Sequence, residues 1–81
     1  MSYTFSIKRN VFMYNHVLVI TDGQNQWEAI IESHPKQERT MLIWLEDFAF
    51  PKSETDTIKA EMLKWFAKQN ESCIFYPGKG R

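Results

Sequence analysis

The spacing of apolar residues changes from strand periodicity to helix periodicity along this chain, and this change constrains the fold more than any other feature. Between Tyr3 and Ile7 apolar and polar residues alternate, which is typical of a strand with one buried face. Between Ser53 and Asn70 the apolar residues instead fall on one helical stripe. The change from strand spacing to helix spacing predicts an α+β domain, in which a helix packs on one face of a sheet.

The first part of the chain predicts several short strands. The alternating segment 3–7 is the first of them, and Arg9-Asn10 is a plausible turn after it. Segments 11–14 and 16–21 are rich in β-branched and aromatic residues, with Asn15 marking a bulge or a bend between them. The number of strands in this region therefore depends on what the chain does at Asn15.

A hairpin is predicted at Asp22-Gly23, because both positions of this dipeptide tolerate positive φ. The strand after it, 26–32, alternates between an apolar face that includes Trp27 and a solvated face. Residues 34–38 are polar and include a proline, which indicates a loop. Residues 41–45 are apolar on both faces, as expected of a strand near the sheet centre with one side under a helix.

The predicted helix begins at Ser53, which with Asp56 approximates a capping box, and Asn70 is a suitable residue to end it. Residues 72–76 then supply a short last strand, and residues 77–81 form a flexible basic tail. The stripe of core residues on the helix consists of Ile58, Met62, Trp65 and Phe66, with Leu63 at its margin.

These elements give the order β-β-β-β-α-β in a single domain that spans residues 1–81. We expect an antiparallel β-sheet of about five strands with one long C-terminal helix packed on one face. This order is similar to that of several small bacterial immunity and inhibitor proteins. A chain of this length buries only about 60–65% of the surface that its unfolded form exposes. Dimerisation is one way in which so small a domain gains stability.

The charge balance and the cysteine content restrict the setting in which the protein works. Ten basic and ten acidic residues cancel, so no net field draws the chain toward nucleic acid or an anionic membrane. Cys73 is the only cysteine, which excludes an internal disulfide and favours a reducing compartment. The first residues lack the pattern of a signal peptide, and no apolar run is long enough to span a membrane. We therefore expect a cytoplasmic protein.

The sequence offers few residues that bind metals or cofactors. His16, His34 and Cys73 lack the close pairwise spacing of a structural zinc site, and no cofactor motif is present. Cys73 lies in an apolar segment and is expected to be a small buried residue, not a reactive thiol. His34 lies beside a proline in a polar loop and is expected to be exposed. The sequence therefore predicts no metal and no cofactor.

Two functions other than protein binding are open from the residues alone. A small enzyme would use Glu46 and Asp47 with a histidine brought near by the fold, although ending an apolar strand in water also explains both carboxylates. A nucleic-acid-binding regulator would use basic residues near the two ends of the chain, beside exposed aromatic residues. These basic residues are Lys8, Arg9, Lys79 and Arg81.

The surplus of apolar residues on a small sheet favours a protein-binding function. One helix covers only one face of a five-stranded sheet, so apolar residues on the other face approach solvent unless the sheet curls strongly. Such a surface is typical of a protein interface or a dimer seam. We therefore expect a non-catalytic protein-binding module of a bacterial or phage type, which acts as an inhibitor or immunity protein or pairs with itself. The candidate interface residues are Phe12, Tyr14 and Trp27, because aromatic residues tend to dominate interface energetics.

Overall fold

A computed structural model describes residues 3–12, 14–76 and 78, with only the backbone described for residues 10–12. Five strands and one α-helix make up most of this part of the chain. Two short 3₁₀ turns, Leu45–Asp47 and Lys52–Glu54, connect the fourth strand to the helix. The longer elements are β1 (Thr4–Phe12), β2 (Asn15–Thr21), β3 (Gln26–Ser33), β4 (Thr40–Trp44), α1 (Thr55–Lys68) and β5 (Ser72–Tyr76).

The strands follow one another across a single sheet in the order β1-β2-β3-β4-β5. The first four are antiparallel neighbours, whereas β5 runs parallel to β4. A parallel neighbour requires a crossover connection, and α1 supplies it by carrying the chain back along the sheet. The predicted class and element order are confirmed, with one correction: the last strand pair is parallel.

The helix stripe and one face of the sheet together form the core, and we call this sheet face the covered face. Ile58, Met62 and Phe66 of α1 are fully buried, as the helical spacing predicts. On the covered face Phe5 of β1 pairs with Ile20 of β2, and both side chains are buried. The buried apolar residues on the sheet side of the core are Tyr3, Phe5, Leu18, Ile20, Ile31, Met41 and Ile43.

The sheet curls around α1. Arg9 of β1 and Glu71, which directly precedes β5, form an ion pair with 2.7 Å between Nη2 and Oε1, although β1 and β5 are opposite edges of the sheet. In a flat sheet of this size the two edges would lie about 19 Å apart, at ~4.8 Å per strand spacing. Arg9 also donates a hydrogen bond of 3.2 Å to the side-chain oxygen of Gln69, just after α1. The curl therefore brings both edges to the helix.

The hairpin predicted at Asp22-Gly23 is confirmed, with a longer turn than two residues. Thr21 pairs with Gln26, so the turn covers residues 22–25, and Gly23 has a φ of +97°. The carboxylate of Asp22 accepts hydrogen bonds from the backbone N–H groups of Asn25 at 2.6 Å and Gln24 at 2.8 Å. These bonds hold the pKa of Asp22 below its usual value.

The first hairpin corrects the prediction of a turn at Arg9-Asn10. β1 continues through both residues to Phe12. The pairing with β2 is regular as far as Lys8 and resumes at Phe12, so three residues of β1 lie opposite His16 alone. This bulge accommodates the polar residues that suggested a turn, because extra residues on one strand disturb the pairing only locally. The irregularity lies in β1 and not at Asn15.

The start of α1 also corrects the prediction. The chain forms the 3₁₀ turn Lys52–Glu54 before the α-helix, and Glu54 is the N-cap without a side-chain cap hydrogen bond. The capping box predicted for Ser53 and Asp56 is therefore wrong. The carboxylate of Glu54 instead accepts a hydrogen bond of 2.5 Å from the hydroxyl of Tyr3, which raises the pKa of Tyr3 to about 12.

The end of α1 is as predicted. Asn70 adopts a φ of +62°, in the left-handed region that asparagine tolerates better than most residues. The N–H of Glu71 then donates to the carbonyl oxygen of Phe66 at 2.9 Å. This turn reverses the chain and directs it into β5.

Candidate functional site

The sheet face opposite α1, which we call the open face, carries its own apolar side chains. Side chains alternate along a strand, so the neighbours of buried residues point away from the helix. In β4, for example, Leu42 lies between the buried residues Met41 and Ile43. The apolar residues of the open face form what we call the open-face patch, which consists of Val17, Val19, Ile30, Leu42, Trp44, Ile74 and Tyr76.

The open-face patch extends over neighbouring strands from β2 to β5. The strand register places Val17 directly beside Ile30 of β3. On the other side of the patch, Leu42 of β4 lies between Glu32 of β3 and Ile74 of β5. The register therefore places apolar side chains next to each other across β2 and β3 and across β4 and β5, with the carboxylate of Glu32 between the two groups.

Two aromatic rings form one end of the open-face patch. Trp44 and Tyr76 are paired residues of β4 and β5, and their rings stack with centroids 5.3 Å apart and an interplanar angle of 21°. Tyr76 exposes 38% of its surface and Ile30 exposes 37%, whereas the other five members of the patch are half-buried. Aromatic rings held in one orientation lose little conformational entropy when a partner covers them.

The charged residues around the patch come from two strands. Lys8 of β1 pairs with Val17, and Glu28 of β3 pairs with Val19. Both Lys8 and Glu28 are exposed. Apolar residues with charged residues at their margin are the usual arrangement of a protein interface, and Glu32 is the charged residue of this face that departs from it.

The structure separates two of the three predicted interface residues, Tyr14 and Trp27. Tyr14 lies in the turn after β1 with 69% of its surface exposed. Trp27 lies on the covered face, where it is half-buried and meets the ring of Phe50 edge-on at 5.4 Å. Phe12 ends β1, and its side chain lies outside the described residues.

The four predicted nucleic-acid contacts have different positions. Lys8 is exposed, whereas both terminal nitrogens of Arg9 bind Glu71. Lys79 and Arg81 lie outside the described residues. The charge of Arg9 is therefore paired with that of Glu71 within the protein.

The two carboxylates of the enzyme hypothesis lie at the opposite end of β4 from His34. Glu46 and Asp47 belong to the 3₁₀ turn after β4, and Glu46 accepts a hydrogen bond of 2.6 Å from the N–H of Gly78. His34 lies before β4, and its N–H donates to the carbonyl of Thr40, the first residue of that strand. A strand of five residues is about 17 Å long, so Glu46 and Asp47 do not converge with His34.

Cys73 and His34 have local structural surroundings. Cys73 packs against the core on the covered face, and burial raises its pKa to about 12, so little thiolate forms at neutral pH. The Nδ1 atom of His34 accepts hydrogen bonds from the N–H groups of Lys36 at 3.0 Å and Gln37 at 2.9 Å. His34 thus stabilises the loop ahead of β4.

Within residues 3–12, 14–76 and 78, no three His, Cys, Asp or Glu side chains are grouped to hold a metal ion.

A second group of polar side chains lies where the curled edges approach each other. His16 of β2 exposes only 3% of its surface. Its Nε2 lies 2.6 Å from the hydroxyl oxygen of Ser33. Arg9 and Glu71 border the same cleft, which has a volume of about 380 Å³. We call His16, Ser33, Arg9 and Glu71 the His16 cluster.

Sequence reasoning predicted an exposed apolar sheet face but assigned the interface to Phe12, Tyr14 and Trp27, so it named no residue of the open-face patch, and it missed the His16 cluster. Alternation within 40–44 and 72–76 carried a signal for the patch, because one set in each strand had to face the helix and the other had to face away. The outward set includes Trp44 and Tyr76. No spacing rule joins His16 to Ser33, which the register of β2 and β3 brings together, or Arg9 to Glu71, which the curl of the sheet brings together.

Comparison of the chain with protein-family models, with curated proteins and with solved structures finds no match. Among the described residues no helix has the length and apolar character needed to cross a membrane.

Proposed function

We propose that this protein is a protein-binding module that acts through the open-face patch. It works in the cytoplasm by occupying a surface of its partner and not by catalysis. The partner is either a second protein, as for an inhibitor or immunity protein, or another copy of the same chain. A bacterial or phage source suits a small domain with this element order.

The observation that carries the proposal is the second apolar face of the sheet. The helix stripe and the covered face already supply a complete core, with residues such as Ile31 and Phe66 fully buried. The open-face patch adds seven apolar residues that this core does not use. Apolar surface that stays in water stabilises nothing in the monomer, whereas its burial by a partner contributes about 25 cal/mol per Å².

The rigidity of the patch also supports binding. Its members lie on strands whose backbone is held by the sheet, and the stacked rings of Trp44 and Tyr76 restrain each other. A surface that is already ordered loses less entropy on association than a mobile loop does. The two aromatic residues are therefore the expected energetic centre of the interface.

Substitution on the two sides of the molecule tests this proposal. Ile30→Glu and Tyr76→Glu place a charge on the patch at positions that are already exposed. Leu63→Glu is the matched control, because Leu63 of α1 exposes 44% of its surface and is not part of the patch. Size-exclusion chromatography with light scattering over a concentration series measures self-association. We expect both patch variants to dissociate any dimer and the control to keep it, with circular dichroism confirming that all three fold.

A photo-crosslinking residue at position 30 or at position 63 tests for a different partner in cells of the source organism. The proposal predicts one discrete crosslinked protein from position 30 that position 63 does not give. A monomer at every concentration, together with the same crosslinking pattern from both positions, contradicts the proposal. Association that survives both patch substitutions but is lost in Tyr14→Asp would instead place the interface at the first hairpin.

A further inference from the structure

The His16 cluster combines burial, hydrogen bonding and charge at one point of the sheet. His16 lies on the covered face of β2, in line with the fully buried Leu18 and Ile20. Its Nε2 and the hydroxyl oxygen of Ser33 are 2.6 Å apart, so β2 and β3 are joined here by side chains as well as by the backbone. A histidine in such a position is costly to charge, because burial disfavours the ionised form.

The regular pairing of β1 with β2 is interrupted at the same point. His16 lies opposite the bulge in β1, where three residues of β1 between Lys8 and Phe12 face His16 alone. A bulge interrupts the regular ladder of backbone hydrogen bonds and leaves residues of the bulged strand without a paired partner across the ladder. Segments with few such bonds open more easily than the rest of a sheet. The last part of β1 is therefore paired less regularly with β2 than the first part is, and the side chain of Arg9 adds to its attachment.

The ion pair between Arg9 and Glu71 supplies part of that attachment. The two terminal nitrogens of Arg9 donate to the two carboxylate oxygens of Glu71 at 3.1 and 2.7 Å. Arg9 belongs to the bulge, and Glu71 belongs to the turn that leads into β5. The remaining titratable residues that line the same cleft are Tyr14, His34, Glu38 and Arg39.

We propose that His16 is a pH-sensitive latch, whose protonation detaches the bulged end of β1 and releases Arg9 from Glu71. At pH values above its pKa, the His16 ring is neutral and stays buried against Ser33, and Glu71 pairs with Arg9. The proton adds a positive charge to the ring, which repels the guanidinium of Arg9 and attracts the carboxylate of Glu71. The attraction of Glu71 to the imidazolium then competes with its bond to Arg9, which weakens that bond, and water enters at the bulge to solvate the imidazolium.

The direction of the pH effect follows from the surroundings of the ring. Burial first, and the positive charge of Arg9 second, lower the pKa of His16 below its usual value, while Glu71 opposes this shift. Because the closed structure lowers the pKa of His16, the ring binds a proton more readily when this end of β1 is open than when it is closed. The closed end of β1 is therefore fully stable above a pH of about 6.5 and loses stability as the pH falls below that value.

Nuclear magnetic resonance on the intact protein tests the proposal directly. The imidazole signals of His16 give its titration, and hydrogen exchange of the amides of residues 9–12 reports the opening of β1. Each exchange rate is divided by the intrinsic rate of an unstructured peptide at the same pH. Between pH 7.5 and 5.5 we expect protection at residues 9–12 to fall by up to about tenfold, because a single histidine that binds its proton only in the open state changes the opening equilibrium by a factor of ten per pH unit below a pH of about 6.5. Protection at residues 17–20 should change far less.

Two variants separate His16 from other acid effects. His16→Gln retains a hydrogen-bonding partner for Ser33 but cannot take up a proton, so protection at residues 9–12 should no longer depend on pH. His34→Gln removes the other histidine and should leave the acid response unchanged. The proposal is overturned if His16→Gln keeps the response, or if wild-type His16 titrates while residues 9–12 stay protected. The second criterion uses the wild-type protein alone and decides the matter even where His16→Gln does not fold.

Discussion

The two faces of the sheet are built from the same strands, yet their apolar residues have different surroundings. On the covered face Ile31 is completely buried beneath the helix, whereas the next residue toward the N-terminus, Ile30, belongs to the open face and exposes 37% of its surface. The two side chains are chemically identical and adjacent in β3. Composition therefore does not distinguish the core of this domain from its proposed binding surface. The position of one helix does.

This difference teaches that an apolar side chain stabilises the monomer only to the extent that the monomer covers it. The covered face gains both from removal of water and from close packing against α1. The open face gains only the partial cover that neighbouring side chains on the strands provide. The two faces should therefore respond very differently to the same substitution.

The largest expected effect is the contrast between Ile31→Ala and Ile30→Ala. Removing the buried side chain of Ile31 leaves a cavity against α1 and should cost about 2–5 kcal/mol of unfolding free energy. Removing the exposed side chain of Ile30 should cost less than about 1 kcal/mol, because much of it is already in water. Urea unfolding followed by tryptophan fluorescence measures both.

Equal losses for the two variants would break the comparison, because they would mean that the open face is covered in solution. Repeating the measurement at several protein concentrations identifies the cover as a second copy of the chain if stability rises with concentration. A loss that is large for Ile31→Ala and small for Ile30→Ala confirms that the monomer leaves the open face in water.

Local patterns were sufficient to predict most of the fold. The alternation around Trp27, the Asp22-Gly23 dipeptide and the stripe that contains Met62 are each determined by neighbours in sequence, and all three features are present in the structure. Asn70 was identified for the same reason, since the left-handed conformation is a property of single residues. Order and class of the elements follow from such signals.

Features that depend on contacts between distant residues were not predicted. Arg9 lies in a segment that is polar enough for a turn, but its partner Glu71 is far away in sequence and holds it within a strand. The N-cap residue Glu54 likewise bonds to Tyr3 at the other end of the chain, and the predicted capping box does not form. The pairing of His16 with Ser33 requires the strand register, which no local pattern contains.

The second prediction concerns how α1 is held over the covered face. Asn70 ends the helix with a φ of +62°, so an alanine at this position must adopt an unfavourable conformation. Asn70→Ala should cost about 1–2 kcal/mol of unfolding free energy, whereas Asn70→Gly should be nearly neutral, because glycine has no penalty at positive φ. Thermal unfolding followed by circular dichroism compares the two variants. If glycine costs as much as alanine, the amide side chain matters more than the backbone conformation.

The smallest expected effect lies where the two edges of the curled sheet meet. The side chains of Arg9 and Glu71 expose 40% and 9% of their surfaces, so solvent screens part of their attraction. Arg9→Ala should therefore cost only about 0.5–1 kcal/mol at low salt, and the difference from wild type should shrink as the salt concentration rises. Arg9→Lys keeps the charge but not the two parallel hydrogen bonds, so its unfolding free energy should lie between those of the wild type and Arg9→Ala. A loss of unfolding free energy several times larger, and independent of salt, would mean that the contact between the two sheet edges holds α1 on the covered face. The contrast between the two faces would then depend on the curl of the sheet as well as on α1.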